Sequence, residues 1–195
     1  MSAIIELRAY SRSTTAPTLV FVDMQQEYLA APRMLAIPHM SNALANCRVA
    51  LAHARALGIP VAFVRWIARS PFFNPATPFS RWIDGFEPTG GDMVFERDRP
   101  SCYASKLFAD VMTQGGGNFV LAGFAGEVAC LSTVIDAFHR DHSVTYLADA
   151  SASHALGDFV ASEVHHMVTR VAGLYGTVID TQAWLTLYQT RQAVV

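Results

Sequence analysis

The hydrophobic residues of this chain fall into short continuous runs, separated by longer stretches in which apolar positions recur every three or four residues. The continuous runs predict six β-strands, at residues 18–22, 60–66, 118–122, 144–147 and 177–179, with a weaker one at 92–96. Strands that are apolar throughout, rather than at alternate positions, are covered on both faces. The pattern therefore predicts a mostly parallel sheet buried between helices.

The stretches between the runs predict five helices, at residues 41–57, 103–114, 128–140, 158–175 and 181–192. The first has an apolar face formed by Leu44, Cys47, Leu51 and Ala54, and it ends before Gly58. Strands that alternate with helices are joined by right-handed crossovers. We therefore expect a three-layer α/β/α, Rossmann-like domain with a six-stranded, mostly parallel sheet, in which ligands bind beyond the carboxyl ends of the strands.

One long segment, residues 69–91, shows neither pattern and carries five aromatic residues. Irregular segments of this length in compact domains usually have a function or are packed by their own side chains. Two interpretations are open: the segment walls a ligand pocket, or it is buried at an interface between subunits. We expect Trp82 to line the pocket or a subunit contact near it.

Length and composition favour a single domain spanning residues 1–195, with its core at about 17–190, because 52% of the 195 residues are hydrophobic and 15% are charged. A net charge of −2 without a basic cluster gives no reason to expect a nucleic acid or a membrane as partner. A small-molecule substrate is the expected partner. Residues 1–8 do not resemble a signal peptide and no apolar run is long enough to span a membrane, so a cytoplasmic location is expected.

The cysteines and histidines do not form a recognisable metal site. Cys47, Cys102 and Cys130 are too irregularly spaced for a disulfide framework or a zinc site, so we expect reduced thiols. No histidine pair stands with a nearby carboxylate in a ligand pattern, and surface or cap positions are expected for His139, His142, His154, His165 and His166. Residues 115–117 precede a strand, which indicates a turn rather than a phosphate-binding loop. We expect neither a metal nor a cofactor.

Asp23 is the first candidate for chemistry, because it follows four apolar residues at the end of the first predicted strand. A carboxylate in that position is partly desolvated, which raises its pKa and suits it to general acid or base catalysis. The alternative role is a cap on the helix that follows, which Asp commonly provides.

The segment 123–133 is the second candidate, because it joins a predicted strand to a predicted helix and places Cys130 in the first turn. Backbone N–H groups and the helix dipole stabilise a thiolate there, and the preceding loop, with Phe124 and Ala125, offers N–H groups to an oxyanion. The alternative is that Cys130 is a small buried hydrophobe. Cys102 is a rival thiol, beside Arg97 and Arg99, either of which offers a fixed positive charge to an anion.

These segments together resemble the isochorismatase-like superfamily of hydrolases, also called the cysteine hydrolase family. Residues 21–28 look like its Asp-Met-Gln motif, residues 97–103 look like its Lys-x-Arg-x-Ser-Ala-Phe segment, and residues 122–133 look like its nucleophile loop. The resemblance covers roughly residues 18–187. It implies a six-stranded parallel sheet flanked by helices and, as in many members, a homodimer or homotetramer.

The resemblance also implies roles for particular residues. Asp23 is expected to be the general base, with Arg97 as its electrostatic partner, and a cis peptide bond is expected between Phe124 and Ala125. The backbone N–H groups of Ala125 and of Ala129 or Cys130 are expected to face the oxyanion. Side chains expected to contact the substrate are Gln25, Tyr28, Trp82, Tyr103, Phe124 and Glu127.

Two positions depart from the pattern of the amidase members. The motif lysine falls on Arg97, which keeps the charge but does not give up its proton at ordinary pH. The motif cysteine falls on Ala129, and Cys130 follows one residue later, which is about a 100° rotation along a helix. Three explanations are open: an isochorismatase-type site without a cysteine nucleophile, a variant loop that presents Cys130, or the replacement of a native cysteine at position 129.

Three functional hypotheses follow. The first is hydrolysis of a C–N (amide) bond through a cysteine nucleophile, with Asp23 as base, because the superfamily uses this route most widely. The alternative is isochorismatase-type hydrolysis of a vinyl ether without a cysteine nucleophile. The third is a catalytically inactive member that serves as a binding or assembly module.

Overall fold

The computed structural model of the protein describes residues 17–192. Its strands, numbered in chain order, are β1 (Thr18–Val22), β2 (Val61–Trp66), β3 (Met93–Arg97), β4 (Asn118–Gly123), β5 (Ser143–Ser151) and β6 (Thr177–Ile179). Its α-helices are α1 (Ser41–Ala56), α2 (Lys106–Gln114), α3 (Leu131–Phe138), α4 (Ala161–Ala172) and α5 (Thr181–Gln192). The six strands form one sheet in the order β3-β2-β1-β4-β5-β6, and all pairings are parallel. The predicted fold is confirmed.

Strand β1 lies at the centre of the sheet, and its successive residues point into the two hydrophobic cores of the domain. Leu19 and Phe21 belong to the core that also contains α1 and α5, and Val20 and Val22 belong to the core that contains α2, α3 and α4. All four side chains are fully buried. This arrangement explains why the strand is apolar at every position, since burial of apolar surface on both faces is what stabilises it.

The order of the strands places β1 and β4 side by side at the centre of the sheet. The strands before β4 in the chain lie on one side of this point, and the strands after it lie on the other. Strands β2 and β3 extend the sheet on one side of β1, and β5 and β6 extend it beyond β4. A crevice forms beyond the carboxyl ends of the strands at such a point. Because Val22 pairs in register with Gly123, Asp23 and the loop after β4 meet at this crevice.

Gly123 allows the end of β4 to lie very close to the end of β1. Its φ is +114°, a conformation that residues with a Cβ rarely adopt, and a Cβ here would overlap the backbone of Val22. The next residue, Phe124, donates a backbone hydrogen bond of 2.9 Å to the Val22 carbonyl. The peptide bond between Phe124 and Ala125 is cis.

The helix after β4 begins later than the sequence predicts. Residues Gly126–Cys130 form a π-helical turn, and α3 begins at Leu131. The apolar spacing of one such turn differs little from that of an α-helix, so the pattern does not separate the two. Between residues 17 and 192 no helix combines the length and apolar character needed to cross a membrane. Residues 1–8, considered above for a signal peptide, lie outside the described residues.

Candidate active site

Asp23 and Arg97 form a buried ion pair at the carboxyl ends of β1 and β3. Arg97 Nη2 donates a hydrogen bond of 2.6 Å to Asp23 Oδ2, and neither side chain is exposed to solvent. Strand β2 lies between these two strands, so the arginine side chain spans the end of β2 to reach the carboxylate. The carboxylate does not cap the helical turn Gln26–Tyr28, whose first turn has no side-chain cap.

The environment of Asp23 favours proton exchange near neutral pH. Burial raises the pKa of Asp23 to about 6, although the charge and hydrogen bond of Arg97 act in the opposite direction. Asp23 Oδ1 has no hydrogen-bond partner within the described part of the chain. A carboxyl group with such a pKa is suited to accept or donate a proton in catalysis.

Arg97 is held from two further sides. Its Nη1 donates a hydrogen bond of 2.7 Å to the carbonyl of Arg99, and its guanidinium lies 4.7 Å from the centre of the Trp66 ring. Trp66 is the last residue of β2. These contacts fix the guanidinium beside Asp23, and they place an aromatic ring over the ion pair.

A cavity of about 460 Å³ lies at the same edge of the sheet, and its wall is mostly apolar. Ser70, Phe72 and Phe73 of the irregular segment 69–91 contribute to it, so this segment walls a cavity, as one of its two interpretations predicts. The residues that line the cavity are Tyr28, Met34, Leu35, Trp66, Ser70, Phe72, Phe73, Ala125, Glu127, Val128, His154 and Leu156.

The Asp23–Arg97 pair lies behind the wall of this cavity rather than in it. Trp66 separates Arg97 from the cavity, and Tyr28 is also part of the wall. Burial raises the pKa of Tyr28, and the nearby charge of Asp23 raises it further. Phe73 packs on both rings, with centroids 5.4 Å from Tyr28 and 5.7 Å from Trp66. Asp23 is fully buried and is not among the residues that line the cavity, so a molecule in the cavity does not contact it in this conformation.

Two of the three backbone N–H groups predicted to face an oxyanion are already bonded. The N–H groups of Ala129 and Cys130 donate to the carbonyl of Ala125, at 2.9 and 3.2 Å, as does that of Val128 at 3.3 Å. The N–H of Ala125 has no acceptor among the described residues, and Ala125 lines the cavity. The π-helical turn thus leaves one donor of the predicted three for a ligand.

Cys130 points away from the cavity. Its sulfur donates a hydrogen bond to the carbonyl of Gly123 at 3.5 Å and lies 3.8 Å from Ser151 Oγ, and its side chain is fully buried. Burial raises the pKa of the Cys130 thiol far above its usual value. Because the thiolate is the nucleophilic form, this geometry does not support Cys130 as the predicted nucleophile. Ala129, at the motif position, is also buried and offers no reactive group.

The other two thiols have similar surroundings. Cys102 is fully buried, and burial raises its pKa to about 11. Cys47 is also buried and donates a hydrogen bond of 3.1 Å from its sulfur to the carbonyl of Ala150. No cysteine among the described residues lines the cavity.

Glu127 and His154 form an ion pair in the cavity wall. His154 Nδ1 lies 2.6 Å from Glu127 Oε1, and His154 Nε2 lies 3.0 Å from the carbonyl of Leu35. The hydrogen bond with Glu127 raises the pKa of His154. Burial alone raises the pKa of Glu127, but the contacts with His154, together with hydrogen bonding to its own backbone and to Ser153, outweigh it and the net pKa is lowered. Both shifts favour the charged pair.

A family model described as the isochorismatase domain matches residues 17–183, which is most of the chain and all of the site described above. The chain belongs to the isochorismatase family. Its members include hydrolases, so the family also sets the general reaction class.

Known members of the isochorismatase family align with this chain at low identity. It is 28% identical over 169 residues to the ureidoacrylate amidohydrolase RutB of Pseudomonas syringae, covering 68% of this chain and 69% of that protein. It is 29% identical over 104 residues to enterobactin synthase component B of Escherichia coli, covering 53% of this chain but 35% of that protein.

Solved structures of the family superimpose on the whole domain. A crystal structure of an isochorismatase from Pseudomonas putida has a TM-score of 0.79 and 27% sequence identity to this chain. The superposition covers 91% of this chain and 96% of that structure's chain. The structure of N-carbamoylsarcosine amidase from Thermoplasma acidophilum has a TM-score of 0.68 and 25% identity. Its superposition covers 86% of this chain and 97% of the amidase chain. These neighbours carry different activities on one fold.

Several residues expected to contact the substrate of this isochorismatase-family protein lie elsewhere. Gln25 is fully buried and bonds through its side chain to backbone atoms of Trp66 and Ser80. Trp82 packs on Phe63 and lines a separate surface groove.

Tyr103 forms a hydrogen bond with His142 on the other side of the sheet. Phe124 is buried beneath Tyr28. Of the six, Tyr28 and Glu127 line the cavity.

Trp66 and His154 were not predicted as site residues, although both lie at strand ends of the isochorismatase fold. Trp66 ends β2, and His154 follows the end of β5 by three residues. The rule that identified Asp23, a polar residue directly after a continuous apolar run, finds neither of them, because Trp66 lies within the run 60–66 and His154 lies seven residues after the run 144–147. His154 does not take the predicted surface or cap role.

The other four histidines for which surface or cap positions were predicted fall into two groups. His139 and His166 are exposed, as predicted, whereas His142 bonds to Tyr103 and His165 bonds to Ser153 and to the Ala148 carbonyl. Across residues 17–192, no cluster of three or more His, Cys, Asp or Glu side chains has the arrangement of a metal site.

Proposed function

We propose that this protein hydrolyses a small metabolite by proton transfer from Asp23, with water rather than a thiol as nucleophile, in the manner of isochorismatase-type vinyl ether cleavage. The observation that carries the proposal is a contrast between two buried groups. The carboxyl group of Asp23 has a pKa of about 6 beside the cavity, whereas the Cys130 sulfur points to Gly123 and Ser151 and has a raised pKa.

The reaction proceeds in three chemical steps: protonation of the double bond, addition of water, and breakdown of the hemiketal. The protonated carboxyl group of Asp23 donates its proton to the terminal carbon of the vinyl ether, and the electron pair of the double bond forms the new C–H bond. Water then adds to the resulting oxocarbenium carbon, and the hemiketal breaks its C–O bond to release an alcohol and a carbonyl compound. The proton that water loses returns to Asp23, so the carboxyl group is regenerated.

Arg97 stabilises the carboxylate that forms when Asp23 gives up its proton. Its guanidinium is 2.6 Å from Asp23 and stays charged throughout, because arginine does not titrate at ordinary pH. The aromatic wall of Trp66, Tyr28 and Phe73 excludes water from the carboxyl group until a substrate displaces it. Such exclusion strengthens the electrostatic effect of the ion pair.

Amide hydrolysis is a second candidate, supported by one observation at the site. Ala125 lines the cavity with an N–H that has no acceptor among the described residues, and such a donor stabilises the oxyanion of a tetrahedral intermediate. Two of the relatives are named as an amidohydrolase and an amidase. In this chain the attacking group would be water activated by Asp23, because no thiol of the described residues lines the cavity.

Turnover of a small substrate panel tests the proposal. The panel contains phenyl vinyl ether, isochorismate, nicotinamide, N-carbamoylsarcosine and ureidoacrylate. Each reaction is quenched during turnover, and the mass of the intact protein is measured by mass spectrometry. We expect hydrolysis of a vinyl ether with the mass of the protein unchanged. A mass increase mapped to Cys130 would show a thioester and overturn the proposal. Hydrolysis of no member would favour the hypothesis of a binding or assembly module.

A further inference from the structure

The side chain of Gln25 takes the place of a backbone group at the end of β2. Strand β1 ends at Val22, and the φ of Asp23 is +49°, so the chain turns away from the sheet before it pairs with Trp66. Gln25 Oε1 instead accepts a hydrogen bond of 2.9 Å from the N–H of Trp66, and Nε2 donates one of 3.0 Å to the carbonyl of the same residue. A side-chain amide thus supplies both partners that a neighbouring strand would otherwise supply.

The same amide also holds the irregular segment 69–91. Its Nε2 donates a second hydrogen bond of 3.0 Å, to the carbonyl of Ser80, so both of its donors are used within the protein. Gln25 is fully buried and is not among the residues that line the cavity. Any effect of Gln25 on the site is therefore exerted through the residues that it holds.

Trp66 links Gln25 to the buried ion pair. Its ring lies 4.7 Å from the guanidinium of Arg97 and stacks on Phe73, with ring centroids 5.7 Å apart. On its other side, Trp66 pairs in register with Arg97 of β3. Gln25 and Arg97 therefore hold the end of β2 from both sides, and the position of the ring that covers the ion pair depends on both.

We propose that Gln25 is a positioning residue, which holds the Trp66 ring over the buried ion pair and so keeps water from the Asp23 carboxyl group. This role deepens the proposed function and rests on it in taking Asp23 as the group that transfers the proton. Burial is the largest influence on the pKa of Asp23 and raises it, whereas hydrogen bonding to the Trp66 backbone is the smallest and lowers it. Loss of the cover of the ring is therefore expected to lower this pKa.

The other titratable groups around Asp23 keep their charge state when Gln25 is replaced. Tyr28, Cys102 and Cys130 each interact with Asp23, but burial raises their pKa values, so they are uncharged at neutral pH. The arginine of the ion pair stays charged. Glutamine carries no charge, so its replacement by methionine, a side chain of similar length, alters hydrogen bonding without altering the charges near the carboxyl group.

Titration of the Asp23 carboxyl group tests the proposal without any substrate. The protein is labelled with aspartate that carries carbon-13 at its carboxyl carbon, and the Asp23 signal is identified by its absence in Asp23→Asn. In Gln25→Met three backbone groups lose their partner, which favours entry of water and displacement of Trp66. We expect the pKa of Asp23 to fall from about 6 toward the ordinary value of about 4. An unchanged or higher pKa in the folded variant overturns the proposal.

Trp66→Leu separates the ring from the hydrogen bonds, because Gln25 bonds to the backbone of residue 66 and those bonds remain. This variant is expected to show the same fall in the pKa of Asp23. Combining it with Gln25→Met is expected to produce no further fall, because both changes remove the same cover. Additive shifts would mean that Gln25 acts on the carboxyl group by another route, against the proposal.

Asn46→Leu is the matched control. Asn46 is also a side-chain amide that donates two hydrogen bonds, to the carbonyl and the carboxylate of Asp149, and it joins α1 to β5. Its replacement is expected to lower stability, measured by urea denaturation, and to leave the pKa of Asp23 unchanged. A merely structural role for Gln25 would give the same result as this control. An equal fall in the control would show that general loosening lowers the pKa, which also refutes the positioning role.

Hydrogen exchange adds a measurement that needs no variant. The N–H of Trp66 is expected to exchange in deuterium oxide at least about a hundredfold more slowly than in an unfolded chain, because Gln25 holds it. Exchange at the unfolded rate would overturn the proposal even where Gln25→Met does not fold. None of these measurements involves turnover, so failure of the positioning role and failure of the proposed reaction are seen separately.

Discussion

Arg97 and Asp23 are 74 residues apart in the sequence, yet their side chains meet at 2.6 Å with neither exposed to solvent. Strand β2 lies between the strands that carry them, and Trp66 at its end covers the pair. The two opposite charges of this pair are both buried, and each compensates the other. Several predictions about stability and turnover depend on it.

Replacing Arg97 with methionine is expected to destabilise the protein. The change leaves Asp23 buried without its partner, which costs about 3 kcal/mol in the free energy of unfolding at pH 7. The cost is expected to be smaller at pH 5, because an unpaired Asp23 is then protonated and uncharged. Urea denaturation at the two pH values measures both. Arg99→Met, at an exposed position, is the control, and an equal loss in it would contradict this account.

Turnover is expected to fall as the pH rises above about 6. Burial raises the pKa of Asp23 to about 6, and the proposed step requires the protonated carboxyl group. Above that value the protonated fraction falls about tenfold for each pH unit, and so should kcat/KM for a vinyl ether. A profile of kcat/KM between pH 5 and pH 9 measures this. A rise through pH 6 would instead indicate a carboxylate base, as amide hydrolysis requires.

The buried thiols are expected to resist alkylation in the native protein. Burial raises the pKa values of Cys47, Cys102 and Cys130, so little thiolate is present at pH 7. Iodoacetamide labelling, followed by peptide mass spectrometry, is expected to be slow at all three and to become fast in urea. Selective labelling of Cys130 in the native protein would restore it as a candidate nucleophile.

Gly123→Ala is expected to be strongly destabilising. The residue has a φ of +114°, and a Cβ would overlap the backbone of Val22, its partner in the pairing of β1 with β4. We expect a loss of about 3 kcal/mol in the free energy of unfolding, measured by urea denaturation. Gly90→Ala is the control, because a Cβ there meets nothing within 4 Å. Equal effects of the two substitutions would mean that the close approach of β4 to Val22 tolerates a side chain.

The fold was predictable from the sequence because its strands are apolar at every position. Residues 18–22 are buried on both faces, and this burial is what makes the run continuous. The location of Asp23 followed from the same pattern, since a polar residue directly after such a run lies at the ligand-binding edge of a parallel sheet. These are local properties of the chain.

Other parts of the site depend on contacts that local patterns do not record. The direction of the Cys130 side chain depends on the π-helical turn, which also uses the N–H groups expected to hold an oxyanion. His154 meets Glu127 only because β5 lies next to β4 in the sheet. Tyr103 was expected at the substrate but lies in the opposite core, because the chain turns under the sheet after Arg97.

The most direct measurement of the central claim is kcat/KM of Asp23→Asn and Cys130→Ala on the same substrate, with folding of both checked by circular dichroism. We predict that Asp23→Asn loses about a thousandfold, because it removes the group that transfers the proton. Cys130→Ala is predicted to stay within about threefold of the unmodified protein, because its sulfur lies outside the cavity wall. Loss of turnover in folded Cys130→Ala, with Asp23→Asn still active, would contradict the account.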